Sequence, residues 1–210
     1  MRLAIILYGI SYYTYRHWNN IDVVIDFNKS YNNYKKKIID HFTKLNYEID
    51  VFIATYKNEQ KNKIIKLYNP KKYIFKDFIN KNDDDKDLVR NKMFISGLYL
   101  CYSYAKVNKI NYDLVLITRF DIYFMESFEN KLDLKKMNIV SILEHYDTID
   151  DNLYIFPYKI FNIFIRLCLE NIKLSRHKYK NLIEKIININ YIKNEYVCVS
   201  QLSFYKLIKS

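Results

Sequence analysis

Residues 112–124 limit the possible folds of this chain more than any other stretch. They hold an unbroken apolar run, residues 114–117, which stops at the polar sequence of residues 118–121. Apolar residues without polar alternation are typical of a strand covered on both faces, as in a parallel sheet. We therefore expect a central strand here, with Arg119 and Asp121 at its carboxyl end.

That strand end carries two opposite charges two positions apart. Successive side chains of an extended chain alternate between faces, so Arg119 and Asp121 are expected on one side and Phe120 on the other. In open α/β sheets, ligands bind in the crevice at the carboxyl ends of the strands. The sequence therefore predicts a site for a charged ligand, with a local salt bridge as the other interpretation of the pair.

Predicted strands and helices alternate along the rest of the chain. Strands are predicted at residues 2–7, 49–54, 73–75, 114–118, 139–143 and 153–156, and helices at residues 30–45, 59–67, 88–107, 159–171, 179–189 and 196–208. Residues 9–20 are interpreted as a polar, aromatic loop. This order favours one α/β domain of 210 residues with a mostly parallel central sheet and helices on both faces.

The net charge of +11 has two interpretations. A basic chain favours an anionic partner such as nucleic acid, a nucleotide or a membrane surface. Abundant Lys, Asn, Ile and Tyr beside two Gly and two Pro are also typical of an A+T-rich genome, and the lysines are scattered. The second interpretation is preferred, so no specific nucleic-acid partner is expected.

Cysteine usage and hydropathy indicate a cytoplasmic protein without a transmembrane segment. Cys101, Cys168 and Cys198 are far apart in apolar surroundings, as is typical of reduced core cysteines. No apolar run approaches the ~20 residues that a membrane-spanning helix needs. Neither a Walker A pattern nor a G-x-G-x-x-G loop occurs in this chain of two glycines, and the four histidines lack the spacing of a zinc site.

Four stretches resemble the compact GT-A-type glycosyltransferases, nucleotide-diphospho-sugar transferases with one Rossmann-like domain. They are residues 2–9 (RLAIILYG), 50–56 (DVFIATY), 112–124 (YDLVLITRFDIYF) and 150–156 (DDNLYIF). The resemblance covers most of residues 1–160, and the third stretch is the most specific. It implies a nucleotide-diphosphate sugar donor and a glycan or other hydroxyl acceptor. It also implies a donor-binding part at about residues 1–125 and an acceptor and catalytic part at about residues 126–210.

The resemblance also assigns donor-binding roles. Such enzymes usually carry Asp-x-Asp at a strand end, where it holds a divalent metal against the donor diphosphate; here Arg119 stands at the first position and Asp121 at the second. Asp121 is thus the candidate ligand for Mn²⁺ or Mg²⁺, with phosphate oxygens and water completing the shell. Alternatively, Arg119 itself neutralises the leaving diphosphate. Tyr8, Gly9 and Arg16 are expected to meet the donor from the loop after the first strand.

Weaker candidates lie around this donor site. Tyr12, Tyr13 or Trp18 could stack on the base, although an aromatic surface loop explains each of them equally well. Arg90 and Lys92 could form a second phosphate contact, although a solvated helix face is the preferred interpretation.

Asp150 and Asp151 are candidates for the base that deprotonates the acceptor hydroxyl. Adjacent acids can raise each other's pKa. Alternation places Asp151 on the inward side with Leu153 and Ile155, so it is preferred over Asp150. A polar turn is the simpler interpretation of the pair. Glu195 resembles a late acidic position of the family, and a charge at a helix N-terminus is its simpler explanation.

Two alternatives to an active transferase are a nucleic-acid-binding module that uses Lys and Tyr, and an inactive GT-A-like protein. A nucleic-acid binder would gather basic and aromatic side chains on one face. A transferase would instead bring Arg119, Asp121 and Asp151 together in one place.

Overall fold

The computed structural model describes residues 1–16, 22–77, 86–126, 131–141, 149–185, 187–192 and 196–198. The strands are β1 (Arg2–Gly9), β2 (Tyr12–Arg16), β3 (Asp22–Asp26), β4 (Glu48–Tyr56), β5 (Lys72–Lys76), β6 (Leu114–Arg119), β7 (Ile122–Phe124), β8 (Met137–Ser141), β9 (Ile149–Pro157), β10 (Ile189–Ile192) and β11 (Tyr196–Cys198). The helices are α1 (Phe27–Tyr34), α2 (Asp40–Lys44), α3 (Lys61–Tyr68), α4 (Lys86–Asn108), α5 (Phe161–Glu170) and α6 (Lys180–Glu184). A π-helical segment, Lys35–Ile39, joins α1 to α2, and short 3₁₀ turns lie at Tyr158–Ile160 and Arg176–Tyr179.

Among the residues that the structure describes, seven strands form the central sheet in the order β10-β8-β9-β6-β1-β4-β5. Strand β1 is parallel to both β4 and β6, β4 is parallel to β5, and β10 is parallel to β8. Strand β9 runs antiparallel to its neighbours β6 and β8. The predicted mostly parallel α/β sheet is confirmed, and the four stretches that carry the family resemblance contribute its adjacent strands β9, β6, β1 and β4.

The two faces of the sheet are covered by different helices. Phe94 of α4 and Phe164 of α5 pack with Val115 and Ile117 on one face. Phe27 of α1 and Ile64 of α3 belong to the cluster on the other face, together with Leu114 and Leu116 of β6. The apolar run of β6 is thus buried on both sides, as its sequence predicts.

Three predictions about secondary structure were wrong. Residues 12–16 are not loop but strand β2, which pairs with β3 in a separate hairpin. Residue Ile189 begins β10 rather than ending a helix, and Tyr196–Cys198 forms β11, which pairs with β7. In each segment Tyr, Val, Ile or Thr dominates, and these β-branched and aromatic residues favour strands when a partner is present.

In the described part of the chain, no helix combines the length and the apolar character that crossing a membrane requires. Cys101 and Cys168 are buried in the core, as the sequence predicts, and the side chain of Cys198 lies outside the description.

Candidate active site

The sheet brings three strand ends to one edge. In the register of the sheet Tyr8 of β1 lies beside Arg119 of β6, at the carboxyl ends of both strands. Because β9 is antiparallel, its first residues reach the same edge, with Leu153 beside Thr118. The polar residues that follow β6 and those that open β9 therefore meet at the position where α/β sheets bind ligands.

Arg119 and Asp121 form a bidentate ion pair. The Nε of Arg119 donates to Oδ1 of Asp121 at 2.8 Å, and its Nη2 donates to Oδ2. Its Nη1 also donates to Oδ1 of Asn152, at 2.9 Å, which ties β6 to β9. The Asp121 side chain is 4% exposed and that of Arg119 33% exposed. The expected placement of both side chains on one side is thus found, and the guanidinium is held in a fixed orientation with one third of its side chain accessible to a ligand.

The residues present do not fit a divalent cation in this arrangement. Both carboxylate oxygens of Asp121 accept hydrogen bonds from the cation Arg119. Within the described ranges, no three His, Cys, Asp or Glu side chains lie close enough together to hold a metal. A metal ion could bind Asp121 only if Arg119 moved away from the carboxylate. Metal binding at Asp121 therefore stays a prediction.

A second ion pair, which the sequence did not reveal, joins Arg176 to Asp151. Arg176 Nη2 donates to Oδ2 of Asp151 at 2.5 Å, and its Nη1 donates to Oδ1 of Asn91 on α4. The guanidinium carbon lies 4.7 Å from the ring centre of Phe94 and 5.4 Å from that of Tyr8. Arg176 is only 4% exposed, so these contacts fix it between the start of β9 and α4.

Tyr8 connects this second pair to β1. Its hydroxyl donates to the backbone carbonyl of Asp151 at 2.6 Å. Burial raises the pKa of Tyr8, so the hydroxyl stays protonated and remains a donor. Tyr8 therefore positions β9 rather than offering a free hydroxyl to a ligand in this arrangement.

Asp151 is an ionised carboxylate in a positive environment. Burial acts to raise its pKa, but Arg176, His177 and Arg119 together outweigh burial and hold the pKa below its usual value. Nε2 of His177 lies 3.5 Å from Oδ1 of Asp151. The cations around Asp151, rather than the neighbouring acid, therefore set the direction in which its pKa is shifted.

The alternation argument that chose Asp151 over Asp150 is also wrong. Between β8 and β9 the register shifts: Ile139 pairs with Tyr154, and the next residue of β8 pairs with Asp150. Such an irregularity breaks the alternation of side chains. Asp151 consequently contacts Arg176, whose guanidinium packs on Tyr8 and Phe94 on one face of the sheet. Leu153 and Ile155 belong to the core on the other face.

Asp150 lies inside β9, and its Oδ1 accepts a hydrogen bond from the backbone N–H of Asn152 at 2.9 Å. It is buried, with 8% of its surface exposed. The bond shapes the chain that presents Asn152 to Arg119. A role for Asp150 as the base stays a prediction.

Gly9 ends β1 in a conformation that favours glycine, with φ at +90°. A Cβ there would lie 3.9 Å from Cγ of Arg119, an ordinary contact, so backbone conformation rather than space requires glycine. The Gly9 carbonyl accepts a hydrogen bond from Oγ1 of Thr55 at 2.7 Å. The segment that follows the first strand thus begins directly beside Arg119.

The remaining candidates do not join this cluster in the described contacts. Arg16 lies on β2, and its side chain is outside the description, as are Trp18 and Glu195. Arg90 and Lys92 are exposed on α4, as the solvated-face interpretation predicts, and Tyr13 is exposed on β2.

No protein-family profile matches the sequence, and no curated protein does so either. Among solved structures, a nucleoside-diphosphate-sugar pyrophosphorylase from Vibrio cholerae RC9 aligns over 97% of this chain and 98% of its own, with 11% identity and a TM-score of 0.50. The likeness shows a shared fold. This fold is the Rossmann-like one that the sequence predicts.

Two further solved structures align at lower scores. A glycosyltransferase involved in the glycosylation of the major capsid of PBCV-1 covers 93% of this chain and 82% of its own, with 10% identity and a TM-score of 0.44. HddC from Yersinia pseudotuberculosis, complexed with GMP-PN, covers 100% of this chain and 99% of its own, with 12% identity and a TM-score of 0.46.

Proposed function

We propose that this protein is a glycosyltransferase that takes a sugar from a nucleotide-diphosphate donor and passes it to a hydroxyl acceptor. The observation that carries the proposal is the joined cluster of Arg119, Asp121, Asn152, Asp151 and Arg176 at the carboxyl edge of β1 and β6. Parallel α/β sheets bind ligands at this edge, and a cluster of Arg and Asp there suits a phosphorylated ligand.

Arg119 is the proposed partner of the donor diphosphate. Its guanidinium is oriented by Asp121 and Asn152, and one third of the side chain is exposed. An oriented Arg can make short, charge-assisted hydrogen bonds to phosphate oxygens and stabilise the negative charge that develops on the leaving group. The chain has no glycine-rich loop to cradle the diphosphate with backbone N–H groups, so side chains must supply this charge. Mn²⁺ or Mg²⁺ on Asp121 stays part of the proposal only if donor binding draws Arg119 away.

Asp151 remains the proposed base, ahead of Asp150. Its lowered pKa keeps the carboxylate ionised, and therefore able to accept a proton, throughout the neutral range. The same shift makes it a weak base, because efficiency of proton transfer rises as the pKa approaches the working pH. Arg176 and His177 hold it in place beside Arg119.

The nucleic-acid alternative is less well supported. It needs basic and aromatic side chains gathered on one exposed face, whereas Arg176 is buried, and Arg119 and Asp121 lie near Asp151 at one edge of the sheet.

A second candidate is a nucleoside-diphosphate-sugar pyrophosphorylase, the activity named for the Vibrio cholerae protein with the same fold. The two activities release different products. The protein should be incubated with UDP- and GDP-sugars and a panel of saccharide acceptors, with and without Mn²⁺. Release of a nucleoside diphosphate together with a glycosylated acceptor supports the transferase. Formation of a nucleoside triphosphate from the nucleotide sugar and added pyrophosphate supports the pyrophosphorylase instead.

A further inference from the structure

Helix α1 presents three polar side chains to the turn that carries Arg119 and Asp121. Ser30, Asn33 and Tyr34 are spaced so that they lie on one face of the helix. All three are buried, although polar side chains of a helix next to a sheet face are usually exposed. We call these three residues the α1 clamp.

Ser30 and Tyr34 bind the backbone on both sides of Asp121. The Ser30 hydroxyl donates to the carbonyl of Phe120 at 2.6 Å. The Tyr34 hydroxyl donates to the carbonyl of Arg119 and accepts from the N–H of Ile122 at 3.3 Å. These bonds reach each of the three consecutive peptide units between residues 119 and 122.

Asn33 extends the contact to the next strand. Its Oδ1 accepts from the N–H of Phe124, and its Nδ2 donates to the carbonyl of the same residue, both at 2.8 Å. A side-chain amide here forms the paired hydrogen bonds that a neighbouring strand would form. Strand β7 is therefore held by α1 on one side while β11 pairs with it on the other.

We propose that the α1 clamp positions the Arg119–Asp121 pair, and that Tyr34 is its principal positioning residue. The bidentate ion pair between Arg119 and Asp121 requires one relative orientation of the peptide units between these two residues. Tyr34 and Ser30 fix those units, so the direction of the Arg119 guanidinium depends on them. Helix α1 also touches the turn after β1, where the N–H of Phe27 donates to the carbonyl of Ser11 at 2.9 Å. One helix thus contacts both segments of the proposed donor site.

The chain offers a matched control. Tyr31 is on the same helix, and its hydroxyl also donates to a backbone carbonyl, that of Leu67 at 3.0 Å, away from the site. Tyr34→Phe and Tyr31→Phe each delete one hydroxyl, but only the first deletes a contact with the turn. Ser30→Ala, which removes the bond to Phe120, is the second test variant if Tyr34→Phe does not fold.

The first measurement is the NMR signal of the Arg119 Nε–H, assigned by its loss in Arg119→Lys. We expect the Arg119 Nε–H signals of the wild type and of Tyr31→Phe to coincide. In Tyr34→Phe the signal should shift, or the Nε–H proton should exchange with water at least ~10-fold faster, because the ion pair loosens. An unchanged Arg119 signal in both Tyr34→Phe and Ser30→Ala overturns the proposal.

The second measurement is calorimetry with UDP and GDP, which rests on the proposed function. The affinity for UDP or GDP should fall about tenfold in Tyr34→Phe and less than about twofold in Tyr31→Phe. Equal affinities in the two variants count against positioning by Tyr34. If the wild type binds neither nucleotide, the proposed function fails, and the NMR comparison still decides whether the clamp positions Arg119.

Discussion

Replacing Arg176 by methionine should destabilise the protein through the carboxylate that it leaves behind. Methionine retains an unbranched apolar side chain against Phe94 and Tyr8, so the main loss is the charge that binds Asp151. Removing one partner of a buried ion pair costs about 3–5 kcal/mol. Asp151 is 13% exposed and keeps His177 nearby, so we expect the low end, about 3 kcal/mol at pH 7. At roughly 2–4 °C per kcal/mol, the midpoint of thermal unfolding should fall by about 6–12 °C.

The loss should depend on pH in a defined direction. In the wild type the pKa of Asp151 is lowered on folding, so its contribution to stability is present above the unfolded pKa and disappears as pH falls through the folded pKa. In Arg176→Met, burial raises the pKa with less opposition from cations, so folding favours the protonated acid. The penalty is therefore largest at neutral pH and shrinks as pH falls towards about 4, near the ordinary pKa of an Asp.

Urea unfolding at pH 7 and pH 4.5 measures both quantities. Arg166→Met is the control, because Arg166 is exposed on α5 and its loss should change stability by less than about 0.5 kcal/mol. A loss below about 1 kcal/mol in Arg176→Met at pH 7, or an equal loss at both pH values, would refute the idea that Asp151 needs Arg176.

Three further predictions concern the site itself. Asp121→Asn should abolish any Mn²⁺-dependent part of nucleoside diphosphate binding while the protein stays folded; calorimetry that finds this part unchanged removes Asp121 as a metal ligand. Asp151→Ala should lower turnover ~10²–10⁴-fold with donor affinity nearly unchanged. If Asp151 is the base, kcat/KM of the wild type should stay level down to about pH 4, since its pKa is lowered, and an acid limb near pH 6–7 would assign the role to another group. Gly9→Ala should cost about 1–2 kcal/mol in chemical unfolding, because φ at +90° strains an L-residue; a cost near zero would mean that the turn adopts another conformation.

The sequence predicted the parts of this site that depend on local rules. Strand β6 follows from an apolar run too long to alternate, and Arg119 lies near Asp121 because residues two apart share a side of an extended chain. The partners Arg176 and Asp151 are 25 residues apart, and Arg176 stands in a polar stretch that is typical of solvated surface. Nothing local marks such a residue as buried, since its environment is created by α4 and β9.

The side on which Asp151 lies could not be derived either. Alternation holds along a regular strand, but the register shift between β8 and β9 leaves residues 151–153 without partners on β8. A bulge of this kind depends on how two strands pair, not on the sequence of one. The α1 clamp was missed for a related reason: Ser30, Asn33 and Tyr34 show ordinary helical spacing, and only the fold places β7 beside them.

The central claim is that a nucleotide diphosphate binds at the carboxyl edge of β1 and β6 through Arg119. Calorimetric titration of UDP and GDP, with and without Mn²⁺, into the wild type, Arg119→Gln and the exposed control Arg166→Gln tests it directly. The account predicts binding to the wild type and to the control, and at least about tenfold weaker binding to Arg119→Gln, because a charge-assisted pair of hydrogen bonds is lost. Equal affinity of the wild type and Arg119→Gln, or no binding of either nucleotide to the wild type under any condition, would contradict it.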